Sequence, residues 1–147
     1  MITIFGRPLW YTPPKLISYS FDGVDADKQI FDIYSFSHVT HGILFYFILR
    51  ALGIQSLMGL YITIILEILW EIIENTEFII NKYRKTHKLY EGDSIVNMVG
   101  DIICTIIGYI LAYTYPFVSI LYTILIEIVL YPYKASLLQL SIIQLFK

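Results

Sequence analysis

Two histidines one helical turn apart, His38 and His41, stand upstream of three carboxylates, Glu67, Glu71 and Glu74. A third group follows, with Asp93, Asn97 and Asp101 spaced four residues apart. Imidazole with carboxylate is a ligand set for Zn²⁺, Mn²⁺ or Fe²⁺, and an all-oxygen subset suits Mg²⁺ or Ca²⁺. On a helix turning 100° per residue, Glu67, Glu71 and Glu74 fall within about 60° of one another. Asp93, Asn97 and Asp101 likewise share a face, which Cys104 and Gly108 continue. Asn75 and Asn81 flank the glutamates, and Gly92-Asp93-Ser94 reads as a helix cap.

On a soluble helix such a row of glutamates would be a solvated face. The surroundings here are different. Of 147 residues 57% are apolar and 15% charged, with mean hydropathy +0.68. Soluble domains run at roughly 45–50% and about 25%. The composition therefore excludes an ordinary soluble domain and a disordered chain, and points to a lipid bilayer as the partner. The charge balance, 10 basic against 12 acidic residues, offers no surplus that would attract nucleic acid. The single Cys104 permits no internal disulfide, and no glycine-rich phosphate loop is present, so no nucleotide is expected.

The elements that must position these groups are apolar runs at 36–53, 57–81, 94–115 and 117–131, holding 80 residues and seven charges. The expected fold is all-α: a polytopic membrane bundle of about four transmembrane helices. A polar arm over 1–35 precedes a helical domain over 36–147, and a short segment at 135–146 is expected to be interfacial or re-entrant. Pro8, Pro13, Pro14, Pro116 and Pro132 all lie outside the runs. The arm lacks the apolar core of a signal peptide. With four spans, nine of the ten basic residues fall on one side and only Arg50 on the other. That bias puts both termini in the cytoplasm.

Under this topology every polar group named above belongs to the cytoplasmic leaflet. An ionised side chain at the bilayer centre costs about 2.5–3.5 kcal/mol on insertion scales. Three clustered glutamates must therefore be partly protonated, paired with His38 and His41, or bridged by a cation. A different reading ends the second span near Trp70 and leaves Glu71, Glu74 and Glu77 among headgroups.

At these residues the chain resembles a family of small uncharacterised bacterial inner-membrane proteins, best represented in alphaproteobacteria. The matching stretches are Tyr34-Ser35-Phe36-Ser37-His38, His41-Gly42 and Phe45-Tyr46, then Glu67, Trp70-Glu71, Glu74-Asn75 and Tyr83-Arg84. Gly92-Asp93-Ser94, Asn97, Asp101, Gly108-Tyr109 and Ala112 complete them, covering about residues 30–112. Family members tend to open with Gly-Arg followed by cysteines; here Gly6-Arg7 is present and the cysteines are not. The pattern is also distantly similar to VanZ-like proteins, with Thr105 in place of an asparagine between Asp101 and Gly108. The resemblance implies a membrane fold and no settled activity.

Three functions are in competition. The first is a metal-dependent intramembrane enzyme acting on a lipid or lipid-linked substrate. His38, His41, Glu71, Glu74 and Asp101 would hold a divalent ion, with Glu67, Glu71 or Glu74 catalytic. Asn75, Asn97, Asp93 and Ser94 would bind substrate or orient ligands. The second is a structural or assembly subunit of a membrane complex, or a homo-oligomer, with the polar cluster fixing helix packing. The third is ion or proton transport, which finds no continuation beyond Arg50, Gln55 and a few hydroxyls in the outer leaflet.

Overall fold

The computed structural model describes residues 3, 4, 6–10, 15–20, 25, 27–54 and 56–140. Five α-helices carry them: α1 (Ser35–Ala51), α2 (Ser56–Glu74), α3 (Glu77–Tyr83), α4 (Ile95–Thr114) and α5 (Pro116–Leu130). A 3-10 turn, Tyr131–Tyr133, extends α5. Apart from the helices, Thr3–Ile4 and Arg7–Pro8 form a two-residue antiparallel pair, and Ile17 bridges Phe31. Residues 141–147 lie outside the described residues, so the expected interfacial segment is seen only to Leu140.

Helix boundaries follow local chemistry. Asp32 opens α1 by accepting the N–H groups of Tyr34 (2.8 Å) and Ser35 (3.2 Å). At the other end Gly53 turns left-handed at φ +78°, and Ile54 donates back to the Leu49 carbonyl at 2.8 Å. Ser94 caps α4 by accepting the Asn97 N–H at 3.2 Å. Pro116, with no N–H to satisfy, begins α5 directly after Tyr115.

The apolar run 57–81 is divided: α2 ends at Glu74, and α3 begins at Glu77 after extended Thr76. Asn75 donates to the Glu71 carbonyl through its side chain as well as its backbone, which competes with helix continuation. Among the described residues three helices are long and apolar enough to cross a membrane: Ser56–Glu74, Ile95–Thr114 and Pro116–Tyr133, with mean hydropathies of 1.8, 2.0 and 1.6. The first run forms a shorter helix of 17 residues, whose buried face includes Ser35, Ser37, His38, Thr40 and His41.

Helices α1 and α4 run side by side in the same direction. Ser35 meets Asp101, His38 meets Thr105, and Tyr46 meets Tyr109 and Tyr113. Close approach depends on glycine at two points. A β-carbon on Gly42 would strike the Thr105 carbonyl oxygen, and one on Gly108 the Val39 carbonyl oxygen. Helix α2 runs the opposite way: its Gly59 lies at Tyr109 while its later Glu67 lies at His38. Helix α5 reaches α1 through the Tyr122 hydroxyl, which donates to the Phe36 carbonyl at 3.1 Å. One apolar core, around Ile43, Tyr46, Tyr109 and Ala112, holds the bundle away from the polar end. A second, of Ile79, Ile80, Tyr83 and Tyr90, packs α3 against the loop before α4. The outer faces of α2 and α5 are covered with exposed leucine, isoleucine and phenylalanine.

Candidate functional site

Helices α1, α2 and α4 bring His38, His41, Glu67, Glu71 and Asp101 together in the interior, each at most 9% exposed. Glu67 is fully buried and serves both histidines. One oxygen lies 2.5 Å from His38 Nδ1 and the other 3.2 Å from His41 Nδ1. With Nδ1 engaged, His38 Nε2 faces Asp101 Oδ2 at 3.9 Å. Glu71 Oε1 stands 3.6 Å from His38 Nδ1, too far for a hydrogen bond, and has no hydrogen-bond partner among the described residues although it is buried. Asp101 accepts the Ser35 hydroxyl at 3.0 Å. Thr105 donates to the His38 backbone carbonyl at 3.0 Å, tying α4 to the turn that carries the imidazole.

Among the described residues two groups of ligand atoms lie within 4.8 Å of one another: His38, His41, Glu67 and His38, Glu71, Asp101. An ion held by His38 Nε2, Glu71 and Asp101 leaves Nδ1 bonded to Glu67, the usual carboxylate–histidine support of a metal ligand. Glu67 then positions both imidazoles and has no oxygen left to act as a base. The unsatisfied Glu71 oxygen would gain its partner from the ion.

The other predicted residues take different places. Glu74, the last residue of α2, lines a cavity on the loop side of the histidines. Asn75 and Asp93 form a reciprocal pair. The asparagine amide donates to the carboxylate at 2.6 Å, and the Asp93 N–H donates to the asparagine oxygen at 2.7 Å. Asn97 donates to the Gln29 carbonyl at 2.9 Å and to Asp32 at 3.3 Å. Ser94 donates to the Lys28 carbonyl at 3.1 Å besides capping α4. Asn75, Asn97, Ser94 and Asp93 thus hold the arm and loops around the centre. Asn81 sits apart, with Arg84 Nη1 at 3.5 Å from its side-chain oxygen. Glu127 accepts the N–H groups of Leu137 (2.9 Å) and Leu138 (3.3 Å), fixing the chain beyond α5.

The arm supplies residues that spacing alone did not single out. Asp27, Asp32, Tyr34 and Ser35 reach the same end of the bundle, and Tyr83, His87 and Tyr90 close it from the α3 side. The cavity that Asp27, Tyr34, Tyr83, His87 and Tyr90 share with Glu74, Asp93 and Asp101 is about 30 Å³, room for an ion with a water. Burial pushes the carboxyl groups of Asp27 and Asp32 above the ordinary range, and holds Asp93 at about 6. Burial also raises the Tyr90 phenol. Because these residues lie in a non-periodic segment, no helical face marked them; the arm showed only a scatter of four aspartates among aromatic residues.

A second opening is of another kind. A groove of about 890 Å³ runs between α1, α2 and α5, walled by residues such as Leu44, Leu69, Ile73 and Ile124. His41 lies on its wall, with the Trp70 ring edge-on at 5.9 Å. The same imidazole touches Glu67, so one side chain joins the apolar groove to the polar centre.

Residues 3–147 match the model of a family described as protein of unknown function (DUF2585). The chain belongs to this family. The DUF2585 match reaches well beyond the stretch of about residues 30–112 on which the resemblance rests, and takes in Gly6-Arg7. The chain is also similar to curated relatives named "UPF0314 protein". The one from Brucella anthropi is 36% identical over 96 residues, 63% of this chain and 49% of the relative. The one from Paracoccus denitrificans is 40% identical over 96 residues, 63% and 50% of the two chains. The Sinorhizobium fredii relative is 39% identical over 112 residues, 71% and 54%. The chain thus spans about half the length of these relatives. No solved structure matches it. These DUF2585-type relatives come from alphaproteobacteria, and their names state no activity or cofactor.

Proposed function

We propose that this chain is a four-span inner-membrane protein whose buried centre binds a divalent metal ion and acts on the headgroup of a lipid or lipid-linked substrate. The observation that carries this reading is the arrangement about His38. Its Nδ1 is engaged by Glu67, its Nε2 faces Asp101, and Glu71 beside it is buried with an oxygen lacking any partner. A buried carboxylate without a partner is costly, and a cation between Glu71, Asp101 and the imidazole removes that cost.

The four-span topology is supported by the way α1 runs beside α4 over its length, from Ser35–Asp101 to Tyr46–Tyr113. At a rise of ~1.5 Å per residue α1 covers about 25 Å, close to the ~30 Å hydrocarbon core. The excess of lysine and arginine at the polar end supports cytoplasmic termini and a site in the cytoplasmic leaflet. The lipid reading is supported by the groove, whose apolar walls suit a hydrocarbon chain and which meets the centre at His41.

In this reading His38, Glu71 and Asp101 hold the ion and Glu67 fixes the imidazoles. Glu74, which lines the cavity, accepts the proton of an attacking water through one carboxylate oxygen and keeps the other for a further contact. The bound ion would lower the pKa of that water and polarise the substrate. His41 orients the substrate's polar end. The test is turnover in proteoliposomes built from bacterial lipid extract, read by mass spectrometry, with and without chelator. A headgroup product that disappears with chelator and in Glu74→Gln is expected. Headgroups unchanged by active-site-intact protein loaded with Mg²⁺, Mn²⁺ or Zn²⁺ would refute the enzyme reading. The dense pairing of Asn75, Asp93, Asn97 and Asp32 favours a second, structural reading, in which the polar cluster holds an assembly interface. It predicts that Glu71→Gln leaves function intact.

A further inference from the structure

The cavity that His38 and Asp101 line on one side has an unexplained feature on its loop side. Tyr83 is 4% exposed and lines the cavity, yet its hydroxyl has no hydrogen-bond partner among the described residues. A buried phenol normally finds one. Around the same space stand Asp27, Glu74 and Asp93, with the Tyr90 hydroxyl donating to Asp93 at 3.2 Å. The cations nearby are occupied. Arg7 donates to the backbone carbonyls of Asp93 (3.0 Å) and Glu91 (2.7 Å), and Lys28 pairs with Glu91 at 3.4 Å.

Charge makes the same point independently. Glu67, Glu71 and Asp101 at the histidines, with Asp27, Asp32, Glu74 and Asp93 at the loops, put more carboxylates at this end than one divalent ion, the imidazoles of His38, His41 and His87, and Arg7 together offset. Buried carboxylates in such excess must be protonated or matched by further positive charge.

We propose that the loop side of this cavity is a second cation site, where Asp27, Glu74 and Asp93 take an oxygen-preferring divalent ion such as Mg²⁺ or Mn²⁺ that keeps part of its water shell. The ion's water gives the Tyr83 hydroxyl its missing partner. Asp27, Glu74 and Asp93 do not form one of the tight ligand groups, whose atoms lie within 4.8 Å of one another. Water therefore completes the coordination, as is usual for Mg²⁺ bound through one or two carboxylates. The inference rests on the reading that His38, Glu71 and Asp101 hold the first ion. It also narrows the substrate class, because a pair of divalent ions would supply the charge that stabilises the attacking and leaving oxygens of a phosphoester. The substrate would then be a phosphate-bearing lipid.

The test is equilibrium dialysis of the full detergent-purified chain against Mn²⁺, with Mn²⁺ per chain measured by elemental analysis. Two ions per chain are expected in the unaltered protein and one in the Asp27→Asn, Glu74→Gln double variant. Asparagine tolerates the left-handed backbone of Asp27 (φ 61°), and glutamine matches glutamate in size, so the fold is kept. Tyr83→Phe removes a single oxygen and should weaken the second ion threefold or more while leaving the first unchanged. One ion in both the unaltered protein and the double variant overturns the second site and leaves the first standing. Two ions in both also overturn it. No bound Mn²⁺ in the unaltered protein overturns both readings.

Discussion

Glu67→Gln is the most informative single substitution, because Glu67 is fully buried and both of its oxygens are in use. As a carboxylate it accepts from His38 Nδ1 at 2.5 Å and from His41 Nδ1 at 3.2 Å. Glutamine keeps the shape but has one acceptor and one donor. One of the two imidazoles must then face an N–H, and it either changes tautomer or loses its bond. If His38 changes tautomer, its Nε2 carries a proton and no longer offers a lone pair toward Asp101. Hydrogen bonds to charged groups contribute about 1.5–3 kcal/mol, and loss of such supporting bonds costs roughly 10–100-fold in metal affinity. Mn²⁺ titration followed by electron paramagnetic resonance reads this directly, with melting in detergent as the control for folding. His41→Ala, which leaves the His38 bond in place, should cost less. Binding by Glu67→Gln within twofold of the unaltered protein would refute the positioning role.

Two further outcomes follow from packing and burial. Gly108→Ala drives a methyl group into the Val39 carbonyl and separates α1 from α4; overpacking of this kind costs about 1–3 kcal/mol. At roughly 2–4 °C per kcal/mol a fall in melting temperature of several degrees is expected, whereas Gly53, with open space around it, should tolerate asparagine. The second concerns pH. Burial holds Asp93 at about 6 in the folded chain against an ordinary 3.8. The folded state therefore keeps this proton longer than the unfolded state. The contribution of Asp93 to stability in chelator should be full below pH 4 and be lost from about pH 4 to 6. Differential scanning fluorimetry across that window checks this, and Asp93→Asn should flatten the decline.

Much of the helical framework was legible because apolar runs and prolines mark helices directly. The centre was legible in part because polar side chains in an apolar run stand out, and heptad-like spacing put His38, Glu67, Glu71 and Asp101 on inward faces. The break at Asn75–Thr76 was not, since the run stays apolar through Ile79 and Ile80 and the interruption comes from a side chain bonding its own backbone. The roles of Asp32 and Tyr83 were not legible either. Both depend on where a non-periodic arm and a short helix come to rest, which is set by contacts such as Asn97 to Gln29 at 68 residues' separation. Glu67, a candidate base from its spacing, is a positioning residue in the proposed centre because two histidines claim its oxygens.

The central claim is that His38 ligates a metal ion through Nε2, in company with Glu71 and Asp101. Pulsed electron paramagnetic resonance on the Mn²⁺-loaded protein measures it, because a coordinated imidazole nitrogen modulates the echo at its own frequency. A single directly bound nitrogen is predicted, lost in His38→Ala and kept in His41→Ala. Absence of nitrogen coupling, or its persistence in His38→Ala, would contradict the account.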